Sequence, residues 1–235
     1  ARDKLLCTRA LDRAGVAVAE IVEKPDPVEW GCMRHVVKPR TGWGSEGGSA
    51  DMIWLRTDER LEAIKSLHKA HQFLLEVHED PYNWKWAIIA LHNSIQAFMV
   101  LALMGTASLN VCKNRGKFLE AMNNGNDLPE LSMESFLALY KDIKNADRMN
   151  KNIESKIFLA SEEMDYYMKT LNDLRNNFIH YIPCNWSLGI STLPELSKSV
   201  LNVIEFLVLE SGNVRFYFDD ELEKTNLREL ISEIR

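Results

Sequence analysis

Between Lys156 and Ile182 the chain carries its most regular pattern, with Ile157, Ala160, Met164, Tyr167, Leu171, Leu174, Phe178 and Ile182 at steps of three and four. Such steps line side chains along one stripe of an α-helix. A stripe of that length has to be covered by neighbouring elements. Pro183 stops the helix, because proline has no backbone N–H and disfavours helical dihedrals at the residue before it. The simplest way to cover a one-faced helix of this kind is with other helices around a shared core.

The rest of the chain supplies them. Thr57 or Asp58 can cap a helix to about Glu79, with Leu61, Ile64, Leu67, Leu74 and Leu75 towards the core, and Asp80-Pro81 breaks it. A second helix runs from about Asn83 to Met104, its seam being Ala87, Leu91, Ser94, Phe98 and Leu101. Its longest uninterrupted apolar run is Ala97 to Met104, well short of the ~20 residues of a bilayer span. His92, Asn93, Ser94 and Gln96 precede that run, so this is a core helix and no membrane partner is expected. Asn110 to Asp127 reads as one long basic loop carrying Lys113, Arg115 and Lys117. Ser132 caps a third helix to about Met149, with Phe136, Tyr140 and Ile143 inward. The periodic segment is the fourth. Thr192 and Glu195 form a capping box, with Pro194 in the first turn, for a fifth helix ending near Gly212. Val214 to Phe218 alternates like a short strand, and Asp219 to Ile234 reads as a last, charged helix. The expected fold is all-α, a bundle of about five main helices.

The first 51 residues differ in character. Arg2 to Glu23 has helical spacing weakened by Gly15, and Pro25, Pro27 and Pro39 interrupt any regular element after it. Thr41 to Ser49 has the composition of a flexible linker. Met52 then reads as a start codon, with residues 1–51 an irregular N-terminal extension, either fused or cloning-derived. The expected division is 1–51 extension, 52–212 bundle and 213–235 strand-like turn and helix. Cys7, Cys32, Cys112 and Cys184 form no CxxC pair, and no secretory signal is visible, so reduced thiols and a cytoplasmic location are expected. The net charge of −6 argues against a broad nucleic-acid coat and leaves room for a local basic pocket.

Chemistry concentrates at the end of the fourth helix, in Arg175-Asn176-Asn177-Phe178-Ile179-His180. An Arg followed directly by a polar residue, then a His after a four-residue spacer, resembles the motif of the HEPN superfamily. Its position at the C-terminal end of a long amphipathic helix, in the second half of an all-helical domain, matches that family too. The resemblance covers Leu174 to Pro183 in motif and roughly Met52 to Gly212 in architecture. It implies a HEPN-like bundle and a metal-independent endoribonuclease that needs no cofactor. Such enzymes cleave RNA by 2′-hydroxyl attack to leave a 2′,3′-cyclic phosphate. It also implies a homodimer through the fourth helix, a role in phage defence or a toxin–antitoxin pair, and a cognate antitoxin or regulatory protein as partner. In one subgroup, paired with nucleotidyltransferase antitoxins, a Tyr stands two residues after the His. Here Tyr181 follows His180 at once and Ile182 takes the expected place, so that form of regulation is not expected.

The residue types suit the reaction. His180 can take or give a proton near neutral pH, and Arg175 can form paired hydrogen bonds to a phosphoryl group gathering negative charge. Asn176 can orient a phosphate or the imidazole. At ~100° per residue Arg175 lies about 40° from the centre of the seam, and His180 lies nearly opposite it in a regular helix. The two share a site only if the helix ends there, or if a second subunit completes the pocket.

The competing reading is plain structure: an Arg bound to carboxylates or water, and a His favourable to the helix dipole. Lys113, Arg115 and Lys117 fit a phosphate-contacting loop or a solvated one. Trp186 fits a base-stacking platform or a half-buried lid on the bundle. His68, His71 and His78 fall on one side of the first helix, where polar lining is favoured over a metal site because no further ligand lies nearby. A non-catalytic HEPN-like dimerisation or RNA-binding scaffold, or a helical module docking a protein partner, stands as the alternative function.

Overall fold

A computed structural model describes residues 57–105, 108–180, 183, 185–214 and 221–235, the last stretch without the side chains of 221–223. The expected extension over 1–51, Met52 and most of the strand expected at Val214 to Phe218 lie outside the described residues, as do Ile182, Cys7, Cys32 and Cys184. The described residues form an all-α bundle of eight helices. These are α1 (Glu59–Glu76), α2 (Asn83–Leu103), α3 (Arg115–Asn124), α4 (Phe136–Ile143), α5 (Ala146–Met149), α6 (Glu162–Ile179), α7 (Leu193–Glu205) and α8 (Glu221–Ile234).

Helix α2 is the axis of the bundle. Thirteen of its 21 residues are buried, and α1, α4, α6 and α7 pack around it. By length and composition it is apolar enough to cross a membrane, yet two-thirds of its apolar stretch is buried inside the protein. Helix α1 lies closest: Ser94 of α2 donates its hydroxyl to the Ala63 carbonyl at 2.9 Å, with both residues fully buried. Two small residues at this crossing let the backbones approach, and the hydroxyl finds a partner where water cannot reach. Asp58 caps α1 by accepting the Leu61 amide at 2.7 Å. Ile64 and Leu67 are buried as expected, but Leu61 and Leu75, expected inward, are exposed.

Helix α6 starts six residues later than its periodicity suggests, at Glu162, and the reason is local. Backbone groups of the preceding segment are used elsewhere: Lys156 donates its amide to Ser211 and Phe158 donates to Ile143, each at 3.0 Å. Ser161 then offers a proper cap, accepting the Met164 amide at 3.2 Å, with Glu162, Glu163 and Asp165 favourable to the helix dipole. Ile157 and Ala160 still pack against the core from this extended approach.

Three other expectations change. The third helix is capped by Ser135, not Ser132, and breaks after Ile143, where the Asn145 side chain accepts the Asp147 amide and starts α5. Ser132 instead flanks the antiparallel bridge between Cys112 and Met133, its carbonyl accepting the Lys113 amide at 2.9 Å. The segment read as one long basic loop contains the ten-residue helix α3, with no buried residue and with Gly125 (φ +68°) as its left-handed C-cap. The capping box at Thr192 does not form, since Thr192 is itself αR and its side chain caps nothing, although Pro194 does stand in the first turn.

Helix α7 runs into a π-helical turn, Phe206–Glu210, closed by the Ser211 amide on the Phe206 carbonyl at 2.8 Å. The wider turn delivers Ser211, Gly212 and Asn213 to the loop before α6. Asn213 donates its side-chain amide to the Met149 carbonyl at 2.8 Å, and Asn152 donates to the Gly212 carbonyl at 3.1 Å. Helix α8 closes the bundle with Leu227, Leu230 and Ile231 buried in the same core. Across α4 and α6, Asp165 accepts from the Tyr140 hydroxyl at 2.8 Å and from the Lys144 ammonium at 2.7 Å.

Gly212 has φ +71°, and a Cβ there would lie 2.7 Å from the Glu154 carbonyl oxygen. Gly125 has φ +68° and nothing within 4 Å. Gly125→Ala is therefore expected to cost about 1 kcal/mol, the strain of a left-handed residue alone. Gly212→Ala is expected to cost about 2–4 kcal/mol, because backbone must also move. Denaturant melts of the two variants check this, and equal losses would contradict the close approach at Gly212.

Candidate functional site

The last two turns of α6 set the geometry. Leu171 and Leu174 are buried and anchor the helix against α2. Arg175, next to Leu174, is half-buried at the margin of that packed face, as the seam geometry requires. The helix ends at Ile179, and His180 is its C-cap with φ −113° and ψ 45°. Of the two conditions for a shared site, the helix end is met, three residues ahead of the residue that Pro183 constrains. His180 is exposed and leaves the helical path instead of continuing round the cylinder.

Asn176 links the two ends of the motif. Its side-chain carbonyl accepts from Arg175 Nη1 at 3.0 Å, and its backbone carbonyl accepts the His180 amide at 2.8 Å. It therefore orients the guanidinium, while the imidazole of His180 makes no hydrogen bond to any described residue. No carboxylate among the described residues forms an ion pair with Arg175. A half-buried guanidinium without an acid keeps its full charge for an outside anion, and its planar fork suits a phosphate.

Beneath Arg175 lies a residue that motif reasoning passed over. His92, in the middle of α2, is 2% exposed, and neither ring nitrogen has a hydrogen-bond partner. The Nε of Arg175 is likewise buried and unpartnered. The His92 ring stacks on Phe136 of α4, with centroids 4.2 Å apart and planes at 24°. Burial pushes the His92 pKa down to about 4, and the nearby Arg175 charge pushes in the same direction. Asn172 of α6 favours the protonated form, although it does not reach hydrogen-bond geometry with the ring. The imidazole is neutral at physiological pH. In sequence its one signal is a histidine placed directly after Leu91 of the seam, in the most apolar helix of the chain.

Other expected site residues are less tightly drawn in. Trp186 is half-exposed and leans on Phe178 of the last turn of α6, with ring centroids 5.1 Å apart. Its indole thus stands at the same end of α6 as His180. Lys113, Arg115 and Lys117 are all exposed at the start of α3, and none pairs with an acid among the described residues. Burial lowers the Lys151 pKa and the nearby Arg148 and Arg115 lower it further, while Asp142, paired with Arg148 at 2.8 Å, raises it, so this basic patch is tempered by a carboxylate. No hydrogen bond joins that patch to Arg175. His68 and His78 are exposed, and only His71 faces another helix, 4.0 Å from the Glu233 carboxylate of α8. Among the described residues no three His, Cys, Asp or Glu side chains cluster as metal ligands.

His92 makes stability depend on pH. Its pKa is about 4 in the fold against 6.5 for the free side chain. Between those values the unfolded chain binds a proton that the native state refuses. The contribution is therefore fully present above pH 6.5, falls as pH drops, and is lost below about 4, in total about 3 kcal/mol. His92→Leu is expected to remove this loss. Denaturant melts at pH 7 and pH 4 check it, and parent and variant losing equal stability would contradict the buried, neutral assignment.

Family models, curated proteins and solved structures were all compared with the chain, and none matches.

Proposed function

We propose that the chain is a metal-independent endoribonuclease of HEPN type, with Arg175 and His180 as its catalytic residues. The observation that carries the reading is the Arg175 guanidinium, half-buried, oriented by Asn176 and left without a carboxylate, at a helix end shared with an exposed histidine. Cleavage requires removal of the 2′-hydroxyl proton, attack of that oxygen on the adjacent phosphorus, and protonation of the departing 5′-oxygen. His180 serves one of the proton transfers, and Arg175 holds the phosphoryl oxygens as their charge rises. The products are a 2′,3′-cyclic phosphate and a 5′-hydroxyl.

One chain offers one such pair, whereas in-line displacement needs an acid and a base on opposite sides of the phosphate. A two-fold axis beside the end of α6 supplies both from the same surface, because an isologous interface presents each patch twice. Two Arg175 charges in one groove would also draw RNA to a protein of net charge −6. In this reading Trp186, exposed against Phe178, would stack on an unpaired base, and Lys113, Arg115 and Lys117 would contact phosphates of the same RNA. A cytoplasmic role in phage defence or in a toxin–antitoxin pair, with an antitoxin or other regulatory protein as partner, belongs to the same reading. A non-catalytic RNA-binding scaffold would use the same Arg175 and dispense with proton transfer. The exposed His180 ring, held by no described residue, is the observation in its favour.

Arg175→Ala and His180→Ala are each expected to lower RNA cleavage at least ~100-fold, with EDTA present and the thermal melt unchanged, since each removes a whole catalytic role. Mixing the two inactive chains is expected to restore part of the activity if one composite site forms. His180→Ala cutting as fast as the parent would overturn the assignment. RNA binding without cleavage by the parent would leave the scaffold.

A further inference from the structure

We propose that His92 is the positioning residue of this site: its neutral imidazole accepts the Arg175 Nε–H on one nitrogen and donates from the other to the Asn172 carbonyl. The proposal rests on the ribonuclease reading for its purpose, since what is positioned is the phosphate-binding edge of Arg175. Donors and acceptors here can be counted. Arg175 Nε is a donor only, buried and unpartnered. A neutral imidazole has one acceptor nitrogen and one N–H, and on His92 both are buried and unpartnered. Asn172, one helical turn before Arg175, faces the same ring and carries an acceptor oxygen. The three groups match without gain or loss of a proton. Buried polar groups of this kind are rarely left unpaired.

Chemistry also favours histidine over the alternatives at this position. A carboxylate would pair with the guanidinium and cancel the charge that a phosphate needs. An aliphatic side chain would leave Nε–H buried with nothing to bind. A lysine would repel it. Neutral imidazole holds Arg175 from below and leaves its charge intact. Phe136, stacked on the ring at 4.2 Å, fixes the plane in which the imidazole lies. Asn176 holds the guanidinium from the other side through Nη1, so the Nη2 edge is left for a ligand.

Nitrogen-15 NMR of the full chain at pH 7 tests the pair directly, with RNA binding measured in parallel on a 2′-O-methylated oligonucleotide that cannot be cleaved. The parent is expected to show one slowly exchanging arginine Nε–H, assigned by its loss in Arg175→Ala. His92→Leu is expected to speed that exchange and to weaken RNA binding about tenfold, the size of one hydrogen bond to a charged group. Its melting temperature is expected to fall by only a few degrees at pH 7, because the buried Arg175 Nε–H loses its acceptor while the rest of the core keeps its packing. His92→Gln, which keeps an acceptor and a donor, is expected to recover most of the binding. An Arg175 Nε–H that exchanges equally fast in parent and His92→Leu would overturn the proposal. So would a loss of binding that only follows a loss of fold in both His92 variants. RNA binding unchanged in Arg175→Ala would instead sink the ribonuclease reading, whatever the NMR shows of the pair.

Discussion

Helix α2 has 13 of its 21 residues buried, and the packing of the main helices is arranged by the need to cover it. Only a narrow strip of this 21-residue apolar helix, through Trp86 and Asn93, reaches water, so α1, α4, α6 and α7 each bury their own stripe against the rest. Enclosure makes the two buried polar residues of α2, His92 and Ser94, a structural question. Ser94 answers it with the Ala63 carbonyl. His92 does not, and what lies next to it is the one arginine of the candidate motif. The core of the fold and the chemistry of the site therefore meet at a single residue.

That meeting explains how a protein of net charge −6 can present a usable cation. Charge at a distance is screened within about 10 Å at ordinary salt, so the overall sign matters less than what stands beside Arg175. Beside it stand an asparagine and, beneath, a neutral histidine, and no acid among the described residues pairs with it. The α6 N-terminus, by contrast, collects Glu162, Glu163 and Asp165, where they favour the helix dipole. Three of the helix's four acids sit at its N-terminus, and the fourth, Asp173, forms no ion pair with Arg175.

The parts of this arrangement that a sequence shows are those written as periodicity. The seam through Leu171 and Leu174 marks both a helix and its buried face, and Arg175 follows as the residue at the margin. Caps are less legible, because several Ser and Thr residues compete for each role. Ser135 caps α4 in place of Ser132, whose carbonyl accepts the Lys113 amide, and Ser161 caps α6 after the Lys156 amide has been drawn away to Ser211. Helix α3 has no buried stripe at all, so nothing periodic announces it. His92 is the instructive case. Within its own helix it is one polar residue among many apolar ones. Its meaning comes from Asn172 and Arg175, which only the packing of α6 on α2 brings to it.

The central claim is that Arg175 and His180 cut RNA by internal attack of the 2′-hydroxyl. The most direct test is the chemistry of the ends left on RNA incubated with the parent protein in EDTA. The account predicts 2′,3′-cyclic phosphate and 5′-hydroxyl termini, because the displaced oxygen is the 5′ one and no outside nucleophile takes part. Termini bearing a 3′-hydroxyl and a 5′-phosphate would contradict it, since they require attack by water from the other side of the phosphodiester.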